Sequence, residues 1–154
     1  MSAEPKHARI LYNSRHLHGV DEKRRVQIPA KWRPAEGEVE FTMIVWRKGP
    51  HGPCLRVLPP EQMERLMQTI DAMPNDDPRK TVLKRVIGSN SEQVTLDRAG
   101  RICLPEAMAR EAGIKDQALL VGLLDRFEIW NPERYEAVDA ADQVLLPDAM
   151  KLME

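Results

Sequence analysis

A mainly β fold with added helices (α+β), built as two pseudo-twofold repeats in one chain, is what this sequence predicts, and three observations predict it. "VDEKRRVQIP" (20–29) and "LDRAGRICLP" (96–105) match at an offset of 76, with Asp21, Arg25 and Pro29 standing against Asp97, Arg101 and Pro105. "CLRVLPPEQME" (54–64) and "RFEIWNPERYE" (126–136) match at an offset of 72, through Pro60, Glu61 and Glu64 against Pro132, Glu133 and Glu136. Around the first of these matches apolar and polar residues alternate, the period of a half-buried strand. Similarity at a fixed period marks a repeated architecture. Halves of about 75 residues are too small for a sound core apiece. They are expected to pack face to face about a pseudo-twofold axis, as one domain with a closed or interleaved β-barrel. The four residues by which the first copy is longer fall in "RKGPHGP", a Gly/Pro loop that tolerates insertion.

Each copy reads as hairpin, short helix, hairpin, helix. The first runs through "RVQIP", "AKWR", "EFTMIVWR" and "CLRVL". A helix from Pro60 to about Met73 follows, with Met63, Leu66, Met67 and Ile70 as its apolar stripe. After "PNDD" comes a second helix, capped by Asp77, started by Pro78, lined by Val82, Leu83, Val86 and Ile87, and ended by Gly88. In the second copy "QVTLD" and "RICLP" read as a hairpin around "RAG", where Gly100 supplies the positive φ such a turn commonly needs. Val94 and Leu96 face one way, as do Ile102 and Leu104. "PEAMAREAG" reads as a helix opened by Pro105 and stopped by Gly113. "QALLVG" and "RFEIW" form the next hairpin, and Asn131 caps a closing helix with Pro132 in its first turn. The tail "ADQVLLPDAMKLME" is too apolar for a disordered end, so it is expected to pack on its own body or on a neighbour's. The expected divisions are a first repeat over 12–60, connecting helices over 61–88, a second repeat over 92–136 and a helical tail over 137–154.

The composition, 42% hydrophobic and 31% charged, is that of an ordinary folded domain. No apolar stretch reaches the roughly 18–20 residues of a membrane span, and "MSAEPKHARILYNSRHLHG" has no apolar core of a secretory signal. A cytoplasmic location is the expectation. Cys54 and Cys103 sit in apolar runs without a CxxC spacing and read as buried free thiols. The net charge of −1 hides a polarised chain. Residues 1–33 carry Lys6, Arg9, Arg15, Lys23, Arg24, Arg25, Lys31 and Arg33 against Glu4, Asp21 and Glu22, a net +5, which leaves −6 for the rest. One basic face on an acidic body is the simplest spatial translation.

Enzyme chemistry finds little footing. His16 and His18 would project to one side of a strand near Asp21, the start of a metal site and of a small metal-dependent enzyme, but no convincing third ligand accompanies them. Ser14 and Ser89 lack a nucleophile elbow, and no glycine-rich phosphate loop is present. No catalytic residue, metal or cofactor is assigned, and neither a small-molecule substrate nor a membrane is expected. "DEKRR" is different. A turn carrying Lys23, Arg24 and Arg25 is a narrow positive prong, and a two-stranded ribbon fits the DNA major groove. There arginine takes guanine O6 and N7 together, while neighbouring cations hold phosphates. Asp21 and Asp97 can accept hydrogen bonds from turn N–H groups and orient the arginines. A solvated turn with an ordinary surface ion pair, worth ~0–1 kcal/mol, is the bland reading. The repetition of the motif favours DNA.

The chain resembles the MraZ family of bacterial transcriptional regulators, built from two SpoVT–AbrB repeats. "VDEKRRVQIPAKWR", "GPCLRVLPPEQME", "KRVIGSNSEQVTLDRAGRICLPEAMAREAGI" and "ALLVGLLDRFEIWNPERYE" carry the resemblance over about residues 12 to 136. It implies a swapped-hairpin AbrB-like barrel and ring-shaped homo-oligomers. It also implies repression, in the nucleoid, by binding short direct repeats of promoter double-stranded DNA through the DxxxR hairpins. Carried over, Asp21 and Arg25 fill the first motif and Asp97 and Arg101 the second, with Lys23, Arg24 and Arg98 beside them. Arg24 stands where the family usually has glycine, so restoring glycine is expected to raise stability if the turn keeps a positive φ. The alternatives are an AbrB-like antitoxin whose main partner is a protein, and the metal-dependent enzyme around His16 and His18.

Overall fold

The alternation in "RHLHG" sends His16 and His18 to one side of β1 (Arg15–Gly19) and leaves Arg15, Leu17 and Gly19 exposed on the other. Seven more strands follow: β2 (Arg25–Gln27), β3 (Phe41–Trp46), β4 (Cys54–Leu58), β5 (Ser91–Val94), β6 (Arg101–Cys103), β7 (Gln117–Gly122) and β8 (Phe127–Trp130). The helices are α1 (Pro60–Asp71), α2 (Pro78–Ser89), α3 (Glu106–Glu111) and α4 (Pro132–Met150), with 3-10 turns at Ala30–Trp32 and Lys151–Met153. The computed structural model describes residues 9–35, 39–47 and 49–154. Glu4 and Lys6 of the basic first segment, and Lys48 of the insertion loop, lie outside the described residues.

Six strands form one antiparallel sheet in the order β1-β7-β8-β4-β3-β5, and β2 pairs with β6 as a separate ribbon. The order is its own mirror under the repeat: β1 corresponds to β5, β7 to β3 and β8 to β4. The opening strand of each copy therefore pairs with the hairpin of the other, β1 with β7 and β5 with β3. The pseudo-twofold axis passes between β8 and β4, where Glu128 faces Arg56, and between β2 and β6, where Val26 faces Ile102. The interleaving makes one core from both halves.

That core lies between the ribbon and one face of the sheet. Val26, Ile28, Ile102 and Leu104 are wholly buried against Met43, Leu55, Val57, Leu120, Phe127 and Ile129. Trp32 enters from the 3-10 turn, its ring 5.0 Å from Phe127 and 5.8 Å from Tyr12, and its indole N–H donates to the Asn13 carbonyl at 3.1 Å. α3 closes the same layer with Met108, Ala109 and Ala112. The opposite face of the sheet carries a smaller cluster of Cys54, Trp130 and Tyr135, with Trp46, Leu119, Val121 and Val138 half-buried around it. Fully burying one such aliphatic or aromatic side chain contributes roughly 1.5–3 kcal/mol.

The helix starts are where the sequence puts them. Asp77 accepts the Arg79 N–H at 2.9 Å and Asn131 accepts the Arg134 N–H at 3.0 Å, each followed by proline at the first helical position. Gly113 has φ 68° just past α3, the left-handed residue that ends a helix.

Several sequence readings change. The class is α+β with two interleaved copies, but the strands do not close into a barrel. The ribbon strands bond to each other and leave β1 and β5 as the sheet's two edges. "QVTLD" and "RICLP" do not pair as a hairpin: β5 runs beside β3 and β6 beside β2, because alternation fixes which face a strand buries and not which neighbour it takes. Cys103 is exposed, since β6 buries Ile102 and so turns Cys103 outward, whereas Cys54 is buried. α2 runs through Gly88 to Ser89. Met67, Val82 and Val86 are exposed, because α1 and α2 meet the body and each other on narrower faces than their apolar stripes.

Candidate nucleic-acid interface

Period-two geometry on a ribbon whose Val26 and Ile102 point inward must send Arg25, Gln27, Arg101 and Cys103 outward. Each strand is preceded by its acid–turn–arginine motif, and the two turns are built alike, atom for atom. In the first, the Asp21 N–H donates to the Arg25 carbonyl at 3.2 Å and the Arg24 N–H to the Asp21 carbonyl at 2.9 Å. Asp21 Oδ1 accepts the N–H groups of Lys23 at 2.9 Å and Arg25 at 2.8 Å, and Oδ2 accepts Arg25 Nε at 2.6 Å. In the second, the Asp97 N–H donates to the Arg101 carbonyl and the Gly100 N–H to the Asp97 carbonyl, both at 2.9 Å. Asp97 Oδ1 accepts the N–H groups of Ala99 and Arg101 at 2.9 Å each, and Oδ2 accepts Arg101 Nε at 3.0 Å.

The turns are tied across the ribbon as well. Gln27 Nε2 donates to the Ala99 carbonyl at 2.8 Å, and the equivalent Cys103 Sγ to the Lys23 carbonyl at 3.4 Å. Arg101 Nη1 lies 3.8 Å from Asp21 Oδ2, so Asp21 faces both motif arginines. Four of the sequence-predicted residues, Asp21, Arg25, Asp97 and Arg101, thus form one cluster on the ribbon's outer face. Lys23 and Arg98 stand exposed at the turn tips. Arg24 is half-buried and donates Nε to the Leu104 carbonyl at 3.0 Å. Sequence reasoning missed Gln27, whose signal was its place two residues after Arg25 on the same face.

The aspartates do what the motif requires of them. Each holds its arginine through Nε, and Asp21 also draws Nη1 of Arg101, so the guanidinium planes are fixed on the ribbon's outer face. Both carboxyls titrate below the ordinary aspartate value. The leading cause is the backbone N–H of Arg25 for Asp21 and of Arg101 for Asp97; the arginine side chains add to it, and partial desolvation opposes it. A folded-state pKa below the unfolded one gives an ordering contribution that is fully present above about pH 4 and is lost as pH falls through the lowered value. The turn amides of residues 23–25 and 99–101 should therefore hold their NMR exchange protection from pH 7 to about 4 and lose it below. Asp21→Asn should remove the acid transition in the first turn alone. A transition surviving in that variant would mean another group drives it.

Arg24 has φ 60° and its counterpart Gly100 φ 79°, so the turn keeps the left-handed residue in both copies. Glycine at 24 would relieve roughly 1 kcal/mol of backbone strain. It would also delete a charged donor to a carbonyl at a buried residue, a bond worth about 1.5–3 kcal/mol. The loss outweighs the relief, so Arg24→Gly should lower the thermal midpoint, contrary to the sequence expectation. A raised midpoint in differential scanning calorimetry would show that the Leu104 bond contributes little.

His16 and His18 do project to one side, with rings stacked 6.1 Å apart and both Nε2 atoms buried without a hydrogen-bond partner. Trp32 packs edge-on to His16 at 5.2 Å. Among the described residues no group of three metal-ligating side chains forms, and no helix is long and apolar enough to cross a membrane.

Residues 88–146 match the family model described as "MraZ protein, putative antitoxin-like". A protein of Rickettsia rickettsii (strain Sheila Smith) named "Transcriptional regulator MraZ" is 30% identical over 135 residues, 87% of this chain and 91% of that protein. One of Roseiflexus sp. (strain RS-1) with the same name is 33% identical over 131 residues, 85% of this chain and 88% of its own length.

Proposed function

The chain belongs to the MraZ family of transcriptional regulators, and on that premise we propose that it represses transcription by gripping promoter double-stranded DNA with both acid–turn–arginine prongs. The observation that carries this reading is the meeting of two motifs 76 residues apart on one ribbon face, with Asp21 in reach of Arg25 and Arg101 together. The ribbon offers the width of a major groove, the two arginines offer guanine-reading edges, and Lys23 and Arg98 offer phosphate contacts. Selection of bound duplexes from a random library tests it: a recovered direct repeat with guanines at a fixed spacing is expected. Recovery of no duplex, with a co-purifying protein instead, would replace this reading with the antitoxin-like one that the family description names.

Several short repeats in one promoter reward linked binding units, since the second contact is made at high effective concentration. A homo-oligomer supplies them, and a head-to-tail contact closes as a ring. The far half of α4 and the 3-10 turn after it support self-assembly: Val144, Leu145, Leu146, Met150, Leu152 and Met153 are all exposed, from 44% at Leu146 to 86% at Leu152. Ending the chain at Ala140 keeps Tyr135 and Val138 on the sheet and removes residues 141–154, which hold all six of those side chains. In sedimentation velocity the full chain should run as a large assembly and the shortened one as a monomer. A shortened chain that still assembles would place the contact elsewhere.

A further inference from the structure

Ile28 and Leu104 follow directly on the two ribbon strands, and each precedes a proline. Both residues are wholly buried. Their N–H groups bond to the opposite turn: Ile28 N–H to the Gly100 carbonyl at 2.9 Å, and Leu104 N–H to the Arg24 carbonyl at 2.8 Å. Their carbonyls have no ladder partner and would be orphaned beside an apolar layer. Each is met by a guanidinium. Arg33 Nε donates to the Ile28 carbonyl at 2.8 Å, and Arg24 Nε to the Leu104 carbonyl at 3.0 Å.

The two bonds are equivalent by the repeat, yet they are delivered from different places. Arg33 reaches its carbonyl from the segment after the 3-10 turn, lying over Gly100. A Cβ added at Gly100 would stand 2.4 Å from Arg33 Nε and Cζ. In the other half the residue equivalent to Arg33 is Ala109, which has no reach, and the residue equivalent to Gly100 is Arg24, which supplies the guanidinium from the turn itself. Glycine and arginine have changed places with arginine and alanine, and the same carbonyl is met either way. That accounts for the arginine at position 24 and for its left-handed backbone.

We infer that Arg24 and Arg33 are paired positioning residues, each clasping a recognition turn to the end of a ribbon strand so that Arg25 and Arg101 keep their outward aim. This inference rests on the DNA reading for its consequence but not for its geometry. It also reassigns Arg24, whose Nε is spent on Leu104 rather than offered to DNA.

The protein contains the template for its own test. Arg33→Ala together with Gly100→Arg would rebuild the second turn on the plan of the first, at unchanged net charge. Four proteins are compared: the natural chain, Gly100→Arg, Arg33→Ala and the double variant. Two readouts are taken: amide exchange at residues 97–101, and affinity for the duplex selected on the natural protein. Gly100→Arg should drive its side chain into Arg33, and Arg33→Ala should strand the Ile28 carbonyl. Each should speed turn exchange and weaken DNA binding by about tenfold or more, and the double should return both to within about threefold of the natural chain. A merely structural defect in each single variant would accumulate in the double rather than cancel. A double variant no better than the worse single, or an Arg33→Ala protein with unchanged turn exchange, would overturn the clasp. Should the natural protein retain no duplex, the DNA reading fails, and the exchange cycle still decides the clasp.

Discussion

Arg56→Ala should destabilise the protein by about 3–5 kcal/mol, the cost of leaving a buried charge without its partner. Arg56 and Glu128 face each other on the pseudo-twofold axis, with Nη2 2.7 Å and Nε 3.0 Å from the same carboxylate oxygen, and their side chains are only 20% and 10% exposed. The guanidinium lies 4.2 Å over the Trp46 ring, and the free carboxylate oxygen accepts the Trp130 indole N–H at 2.9 Å. Truncating Arg56 removes the cation, the stacking and the hydrogen bonds together, and leaves Glu128 charged with no cation beside it. For a chain of this size the thermal midpoint should fall by about 10 °C. Replacing both partners at once, Arg56→Met with Glu128→Leu, should cost far less, because no lone charge remains. Urea unfolding followed by circular dichroism decides it. A loss below about 1 kcal/mol for Arg56→Ala would show that water already solvates the pair.

This ion pair was open to sequence reasoning and was not seen. Arg56 and Glu128 are 72 apart, the offset of the second repeat match, so they occupy one position in two copies. A position that meets its own counterpart across a twofold axis is where opposite charges belong. What was legible is local: the caps at Asp77 and Asn131, the proline starts, the left-handed Gly100 and Gly113, the inward Ile102 and Leu104, and the paired roles of Asp21 and Arg25. These depend on residues within a few positions of each other. What was not legible is which strand lies beside which. β5 finds β3 rather than β6, since its pattern would serve equally well against either. The surroundings of Arg24 were hidden for the same reason. Its bonding partner, Leu104, is 80 residues away and is brought near only by the strand exchange.

Arg25→Ala and Arg101→Ala should each weaken specific DNA binding by about 1–3 kcal/mol, the worth of a bidentate base contact. The pair combined should approach non-specific affinity. The two singles should not be equal. Arg25 sits at 2.6 Å from Asp21 alone, whereas Arg101 spans Asp97 at 3.0 Å and Asp21 at 3.8 Å. Removing Arg101 thus also alters the field around the first motif, so its loss should exceed that of Arg25. Lys23→Ala should instead lower specific and non-specific binding together and flatten the salt dependence, as a phosphate contact does. Fluorescence anisotropy titrations against the selected duplex and a scrambled one, at several salt concentrations, separate these cases. Unchanged affinity in the folded double arginine variant would remove the prongs from the DNA reading.

Strand exchange between fused copies has a consequence for orientation. Two separate, identical chains exchanging the same strands would be bound by strict symmetry, and such a pair has no front or back along a duplex: it reads inverted half-sites. Fusion removes that obligation. Position 24 could become arginine while position 100 stayed glycine, and the third place of the turn could be Lys23 in one copy and Ala99 in the other. The module therefore has a heading. Rotating it end for end exchanges a turn carrying Glu22, Lys23 and Arg24 for one carrying Arg98, Ala99 and Gly100, so a site matched to it forwards would not match it backwards. In the ring proposed above, units with a heading would all point the same way along the circumference, and the register they would match on DNA is a set of sites repeated in one direction.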